Sequence, residues 1–190
     1  AGVSGFAMTL QSDIVAPYIH RLGTEEQKRR WLPGVCAGET ILAVAITEPG
    51  GGSDVKAMRT TALREGDHYI LNGSKTFISN GLLADRVVVV CKTDPAAGAR
   101  GVSLLMVDAH SQGFRRGRKL EKVGLHAQDT AELFFDNVRV PVADRLGEEG
   151  KGFGYLMQEL AQERFMIAVG AAVKLERLLE ITLEYVKGRR

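Results

Sequence analysis

The chain has 190 residues, with 25 Lys and Arg against 23 Asp and Glu and a formal net charge of +2. It is long enough for one substantial core and far from the strongly basic footprint of a nucleic-acid binder. No apolar run approaches the ~20 residues that span a bilayer, the start lacks a secretory pattern, and Cys36 and Cys91 lack metal-ligand company. They read as two reduced thiols of an intracellular protein, with no metal site expected.

In chain order, the segment 2–22 carries Ala, Met, Leu and Ile at helical intervals, broken around Pro17 and closed by Gly23. Thr24 followed by Gln27 forms a capping box for a second helix. Glu25 and Glu26 suit its positive start, and Lys28, Arg29 and Arg30 lie toward its end. Pro33 is expected to kink or stop that helix, and Gly38 to end the helical section. From Ile41 the period changes to short β-branched or apolar runs, at 41–46, 59–64, 68–71, 75–79, 86–92, 102–107, 114–118 and 131–140. Glu65-Gly66-Asp67 and Asn72-Gly73 supply hairpin turns, and Pro141 cannot extend a ladder, which suggests an antiparallel barrel or sandwich. The helical period returns at Gly152 and runs to the end. A helix of that length is more than a small sheet can cover, so its apolar stripe calls for partners outside this chain.

Two places could carry chemistry, the loop after 41–46 and Glu163. The loop Thr47-Glu48-Pro49-Gly50-Gly51-Gly52-Ser53-Asp54 follows an apolar strand and could bring backbone N–H groups to phosphate oxygens, although a flexible hairpin connection fits its composition equally well. Phe77 and Ile78 read as ordinary strand core. Glu163 falls on the helical line of Leu156, Leu160 and Ile167, where desolvation would raise its pKa toward that of a general base; a cation from another segment could instead pair it. Arg115, Arg116, Arg118 and Lys119 read as the charged face of an edge strand, and the four His residues as non-catalytic.

The order Ala45-Ile46-Thr47-Glu48-Pro49 with the glycines and Ser53-Asp54 resembles the acyl-CoA dehydrogenase signature. It is followed by Leu71-Asn72-Gly73-Ser74-Lys75, Phe77-Ile78-Ser79-Asn80-Gly81, Gly117-Arg118-Lys119-Leu120 and Ala127-Gln128-Asp129-Thr130-Ala131-Glu132-Leu133-Phe134-Phe135. The resemblance spans the chain and is nearest to the long-chain branch. It implies an α+β fold in which a middle-domain β-barrel, 41–147, stands between the end of an N-terminal helical domain, 1–40, and the first helix of a truncated C-terminal one, 148–190. It also implies FAD, with Val44, Ile46 and Thr47 at the flavin edge, Gly52 and Ser53 near the diphosphate, Phe77 and Ile78 against the ring, and Ser79 near N5. Ser53, Ala99, Arg100, Gly154, Ala161, Gln162 and Arg164 are expected toward the acyl-CoA substrate.

Gln158-Glu159-Leu160-Ala161-Gln162-Glu163-Arg164 is similar to the segment that carries the catalytic Glu of long-chain and isovaleryl enzymes, so the resemblance makes Glu163 the base. The implied activity is dehydrogenation of medium- to long-chain acyl-CoA to trans-2-enoyl-CoA, with electron-transferring flavoprotein as acceptor and a homotetramer at full length. The implied compartment is the bacterial cytoplasm or the mitochondrial matrix. An acyl-CoA oxidase, a related flavin monooxygenase and an inactive binding module are the alternatives. His126, Gln128, Gly154 and Ala161 depart from residues common in relatives, and the piece alone is expected to hold FAD poorly.

Overall fold

The computed structural model describes residues 8–52, 54 and 57–189; the predicted helix over 2–22 is therefore described only from Met8. Residues Leu10–Val15 form a π-helical turn that leads into α1, Ala16–Leu22. Pro17 does not break this path. It sits in the first turn of α1, where its missing N–H is least costly, and the wider π-turn lies just ahead of it. Helix α2, Glu25–Ala37, starts on the expected capping box: Gln27 N–H donates to Thr24 Oγ1 at 3.2 Å and Thr24 N–H donates to Gln27 Oε1 at 2.9 Å. It runs through Pro33, where a kink or stop was expected, without stopping, and ends at Gly38 with φ +74°.

The strands are β1 Leu42–Ala45, β2 Thr61–Glu65, β3 His68–Ser79, β4 Arg86–Lys92, β5 Val102–Asp108, β6 Phe114–Lys119, β7 Thr130–Pro141 and the short β8 Arg145–Leu146, which the sequence did not suggest. They form one sheet ordered β6-β7-β3-β2-β4-β5-β8, with β1 parallel to β4. The sheet is mixed rather than purely antiparallel. The α+β expectation holds, but among the described residues the ladder does not close β6 onto β8, so the sheet is open where a barrel was expected.

The predicted turn at Asn72-Gly73 is absent. β3 runs through it with a register shift between Leu71 and Gly73 against β7, and Glu65 pairs with His68 around a tight turn at Gly66. Gly73 has φ +143°, and a Cβ there would lie 2.8 Å from the Thr60 Cα, so the glycine serves close strand packing instead of a reversal.

β4 and β5 are apolar on both faces because both faces are covered. Val87, Val89, Leu105 and Val107 point into a core shared with Tyr69, Leu71 and Leu133, which curls the sheet over itself. Val88, Val90, Leu104 and Met106 point the other way, onto Val15, Tyr18, Ile19 and Trp31 of the helical layer and Leu156 of α3, Gly152–Gly188. At ~1.5 Å per residue α3 is ~55 Å long, and only its first turns meet this layer. From Phe165 to Val186 its large apolar side chains are exposed, apart from the half-buried Met166.

Candidate functional site

β1 delivers Val44, Ile46 and Thr47 to the edge of the sheet, and the loop beyond it is fixed by a buried ion pair. Lys75 lies on β3 between its two register shifts and, like Tyr69 and Leu71, is fully buried. Its Nζ donates to Glu48 Oε1 at 2.8 Å and to the Ile46 carbonyl at 2.9 Å. Glu48 also accepts from the backbone N–H of Arg59 at 2.6 Å and of Thr60 at 3.0 Å. Burial pushes the Glu48 carboxyl up, but Lys75 and the Arg59 N–H outweigh it and hold the group below the usual carboxylate range. Thr76 N–H donates to the Thr47 carbonyl at 2.9 Å, and Glu48 and Gly51 exchange two backbone bonds of 3.1 Å, so the loop is a tight turn. Gly52 is exposed beyond that turn, and Ser53 lies outside the described residues.

Next to this loop β3 carries a second register shift, between Lys75 and Ile78, and Phe77 occupies it with φ +58°. That backbone is costly for an aromatic residue, and its ring is 67% exposed. The strand-core reading therefore holds for Ile78, 3% exposed, and fails for Phe77. Ser79 is half-buried and pairs with Thr130, while Asn80 Nδ2 donates to the Leu42 carbonyl at 3.1 Å. Bonds at both ends of β1 thus bring 44–47 and 76–80 together.

The helical side is built from α1 and the first turns of α3. Leu156 and Glu159 are buried and Leu160 is half-buried, but Ile167 is 66% exposed, so the predicted apolar line ends before it. Glu163 is half-buried, and the hydroxyl of the fully buried Tyr18 donates to its Oε1 at 2.9 Å. Burial moves its carboxyl above the usual range, the Tyr18 hydrogen bond opposes this, and the negative charge of Glu159 adds to the rise. A cation does pair a carboxylate here, but at Glu159: Arg21 Nη1 donates to both its oxygens at 3.0 and 2.8 Å. Arg21 Nη2 also donates to Gln162 Oε1, and Gln162 Nε2 reaches the Asp13 carbonyl at 3.4 Å. Ala161, Arg164 and Gly154 are exposed, and the space before the Gly154 Cα is open.

Val44 and Ile46 pack against the cluster that contains Tyr18 and Leu156, so the two sides share one core. Ala99 and Arg100 stand apart, in the turn Pro95–Gly101, with the Arg100 carbonyl beside Gly150 ahead of α3. The twelve residues from Gly152 to Glu163 span ~16 Å of helix. β6 is an edge strand whose Arg115, Arg118 and Lys119 are exposed, whereas Arg116 donates to the Ala84 carbonyl at 2.8 Å. Sequence reasoning gave no role to Tyr18, Arg21, Glu48, Lys75 or Glu159. For Lys75 the signal was available, since an inward strand position held by a Lys implies a buried partner.

Family models match three consecutive stretches: "Acyl-CoA dehydrogenase, N-terminal domain" over residues 1–39, "middle domain" over 43–138 and "C-terminal domain" over 150–190. The mitochondrial long-chain specific acyl-CoA dehydrogenase of Sus scrofa is 52% identical over 189 residues, which is 98% of this chain and 44% of that protein. The chain thus spans under half the length of this relative. The crystal structure of an acyl-CoA dehydrogenase from Geobacillus kaustophilus matches with TM-score 0.95 and 56% identity, over 97% of this chain and 49% of that one. A chain in the structure described as the electron transferring flavoprotein of Acidaminococcus fermentans matches with TM-score 0.92 and 40% identity, over 98% and 50%.

Proposed function

The chain belongs to the acyl-CoA dehydrogenase family, and from that premise we propose that its full-length protein carries out FAD-dependent α,β-dehydrogenation of medium- to long-chain acyl-CoA thioesters. The observation that carries this reading is Glu163, a half-buried carboxyl held by a neutral hydroxyl instead of a cation, on the core that also seats Val44 and Ile46. A carboxylate that is desolvated but not neutralised by a positive partner suits a base acting near neutral pH.

The residues present fit a flavin. An exposed aromatic ring on strained backbone, beside strand-end backbone that a buried Lys holds in place, suits a flat, partly polar ring with hydrogen-bonding edges. Thr47 and the backbone at Val44 and Ile46 would hold its pyrimidine edge, Phe77 and Ile78 would pack on the ring, Ser79 would meet the N5 region, and Gly52 and Ser53 would approach the diphosphate. When bound, FAD supplies the hydride acceptor. Glu163 takes the proton from the carbon next to the thioester carbonyl. The electron pair left there forms the new double bond as hydride departs from the next carbon. Gly154, Ala161, Gln162 and Arg164 border the acyl-CoA path, with Ala99 and Arg100 toward its CoA end.

An electron-transferring flavoprotein is the proposed acceptor, in keeping with the Acidaminococcus fermentans structure that this chain resembles, and a homotetramer is the proposed assembly. The deciding experiment is anaerobic addition of a saturated acyl-CoA to the full-length flavin-loaded protein. Bleaching of the yellow absorbance supports the dehydrogenase. No bleaching, or no flavin uptake, removes the enzyme reading, and fast reoxidation by air with peroxide formed moves it to an oxidase.

A further inference from the structure

We infer that Tyr18 is a positioning residue for Glu163, fixing which carboxyl oxygen receives the proton; this rests on the reading of Glu163 as the base. The ring of Tyr18 is fully buried among Val15, Ile19 and Leu156, a place where Phe would pack as well. What Tyr adds is one hydroxyl, aimed 2.9 Å from Glu163 Oε1 across the α1–α3 contact. A buried phenol needs a partner, and here that partner is the carboxylate with the raised pKa, 145 residues away in the chain.

A single donor on one oxygen has two consequences. It stops rotation of the carboxyl group, so that Oε2 keeps one direction toward the substrate, and the Tyr18 hydrogen bond survives proton transfer because Oε1 remains an acceptor. It also favours the charged form and so offsets part of the burial that raises Glu163.

The other groups facing Glu163 are few. Glu159 lies one turn earlier on α3, Arg164 follows it in sequence, and from α1 comes Arg21, whose guanidinium is engaged by Glu159 and Gln162. The π-turn contributes the Asp13 carbonyl to Gln162. Arg21 therefore balances Glu159, leaving Tyr18 as the donor from the facing helix to Glu163.

The test is Tyr18→Phe in the full-length protein, with Glu163→Gln as reference. Infrared titration of the flavin-free protein, differenced against Glu163→Gln, isolates the Glu163 carboxyl. Loss of the donor is expected to move its titration to higher pH by on the order of one unit, with the acid limb of kcat/KM moving alongside. A fluorinated tyrosine at position 18, a stronger donor, should move both in the opposite direction with packing kept. A merely structural Tyr18 would change unfolding temperature or KM and leave both titrations where they were, which would overturn the proposal. Turnover retained by Glu163→Gln would overturn the base assignment itself. A dead Glu163→Gln with an unshifted Tyr18→Phe would remove the positioning role alone.

Discussion

Glu48 and Glu163 flank the same site and have opposite surroundings. Glu48 sits in the sheet layer with Lys75 and two backbone N–H groups, and its carboxyl is held below the usual range. Glu163 sits at the helix crossing with one phenolic hydroxyl, and its carboxyl is held above that range. Two groups of the same chemistry are thus driven apart, as acid–base sites require. The fully partnered one shapes backbone, and the under-partnered one has the higher proton affinity that the proposed base role requires. Partner count separates them: Glu48 has a cation and two backbone donors and is the less basic of the two.

The largest effect should come from stripping Glu48 of its cation. Lys75→Met leaves a buried carboxylate with no counter-charge and frees the Ile46 carbonyl, a change that typically costs ~3–5 kcal/mol. Denaturant unfolding of the full-length protein should show this loss, and the double replacement Lys75→Met with Glu48→Gln should recover part of it. If Lys75→Met unfolds like the parent, the pair is not what holds the loop.

Glu163→Gln is the converse. Turnover should fall by ~10² to 10⁴-fold, as for loss of a general base, while flavin content and unfolding midpoint stay near the parent's. Stopped-flow flavin reduction separates this from a binding defect. Unchanged turnover would place the base elsewhere and break the comparison.

Most of the fold was legible because local signals agreed with tertiary ones: the Thr24–Gln27 box, the Gly66 turn and the apolar runs of β4 and β5 all sit where expected. Asn72-Gly73 misled because a hairpin dipeptide was used for close packing against Thr60, which only the third dimension reveals. Pro17 and Pro33 misled because neither residue ended helical backbone, one at a first turn and the other within α2. On the helical side, spacing placed Glu163 beside Leu156 and Leu160, but the contacts that Tyr18 and Arg21 make with α3 were not legible. Tyr18 meets Glu163, and Arg21 meets Glu159, only because α1 and α3, more than 130 residues apart, cross.

Glu159 is an intermediate case: buried like Glu48, but paired to an Arg21 whose side chain is 45% exposed. Arg21→Ala should cost less than the loss of Lys75, ~1–3 kcal/mol, because water can reach part of the space left. The same change should lower activity near neutral pH modestly, since an unbalanced Glu159 raises Glu163 further. A loss as large as that of Lys75→Met would mean that Arg21 is as structural as the sheet-side pair. No loss would mean the pair is a surface contact.

The smallest effect is a difference in slope. A carboxyl whose folded pKa lies below its unfolded value binds fewer protons when folded, so Glu48 contributes stability above the ordinary carboxylate pKa that is lost as pH falls through its folded pKa. Glu163 has the reverse sign: its folded form binds the proton more tightly, so it subtracts stability as pH rises from the ordinary value through its raised one. Being half-exposed, it subtracts little. Melting temperature followed from pH 3 to 8 should therefore rise at the acid end through Glu48. Above roughly pH 4.5, near the ordinary Glu pKa, Glu163→Gln should run slightly higher than the parent, the two curves converging as Glu163 becomes protonated at low pH. A gap that opened instead toward acid pH would mean Glu163 is stabilised as a carboxylate, like Glu48, and the contrast between the two groups would be gone.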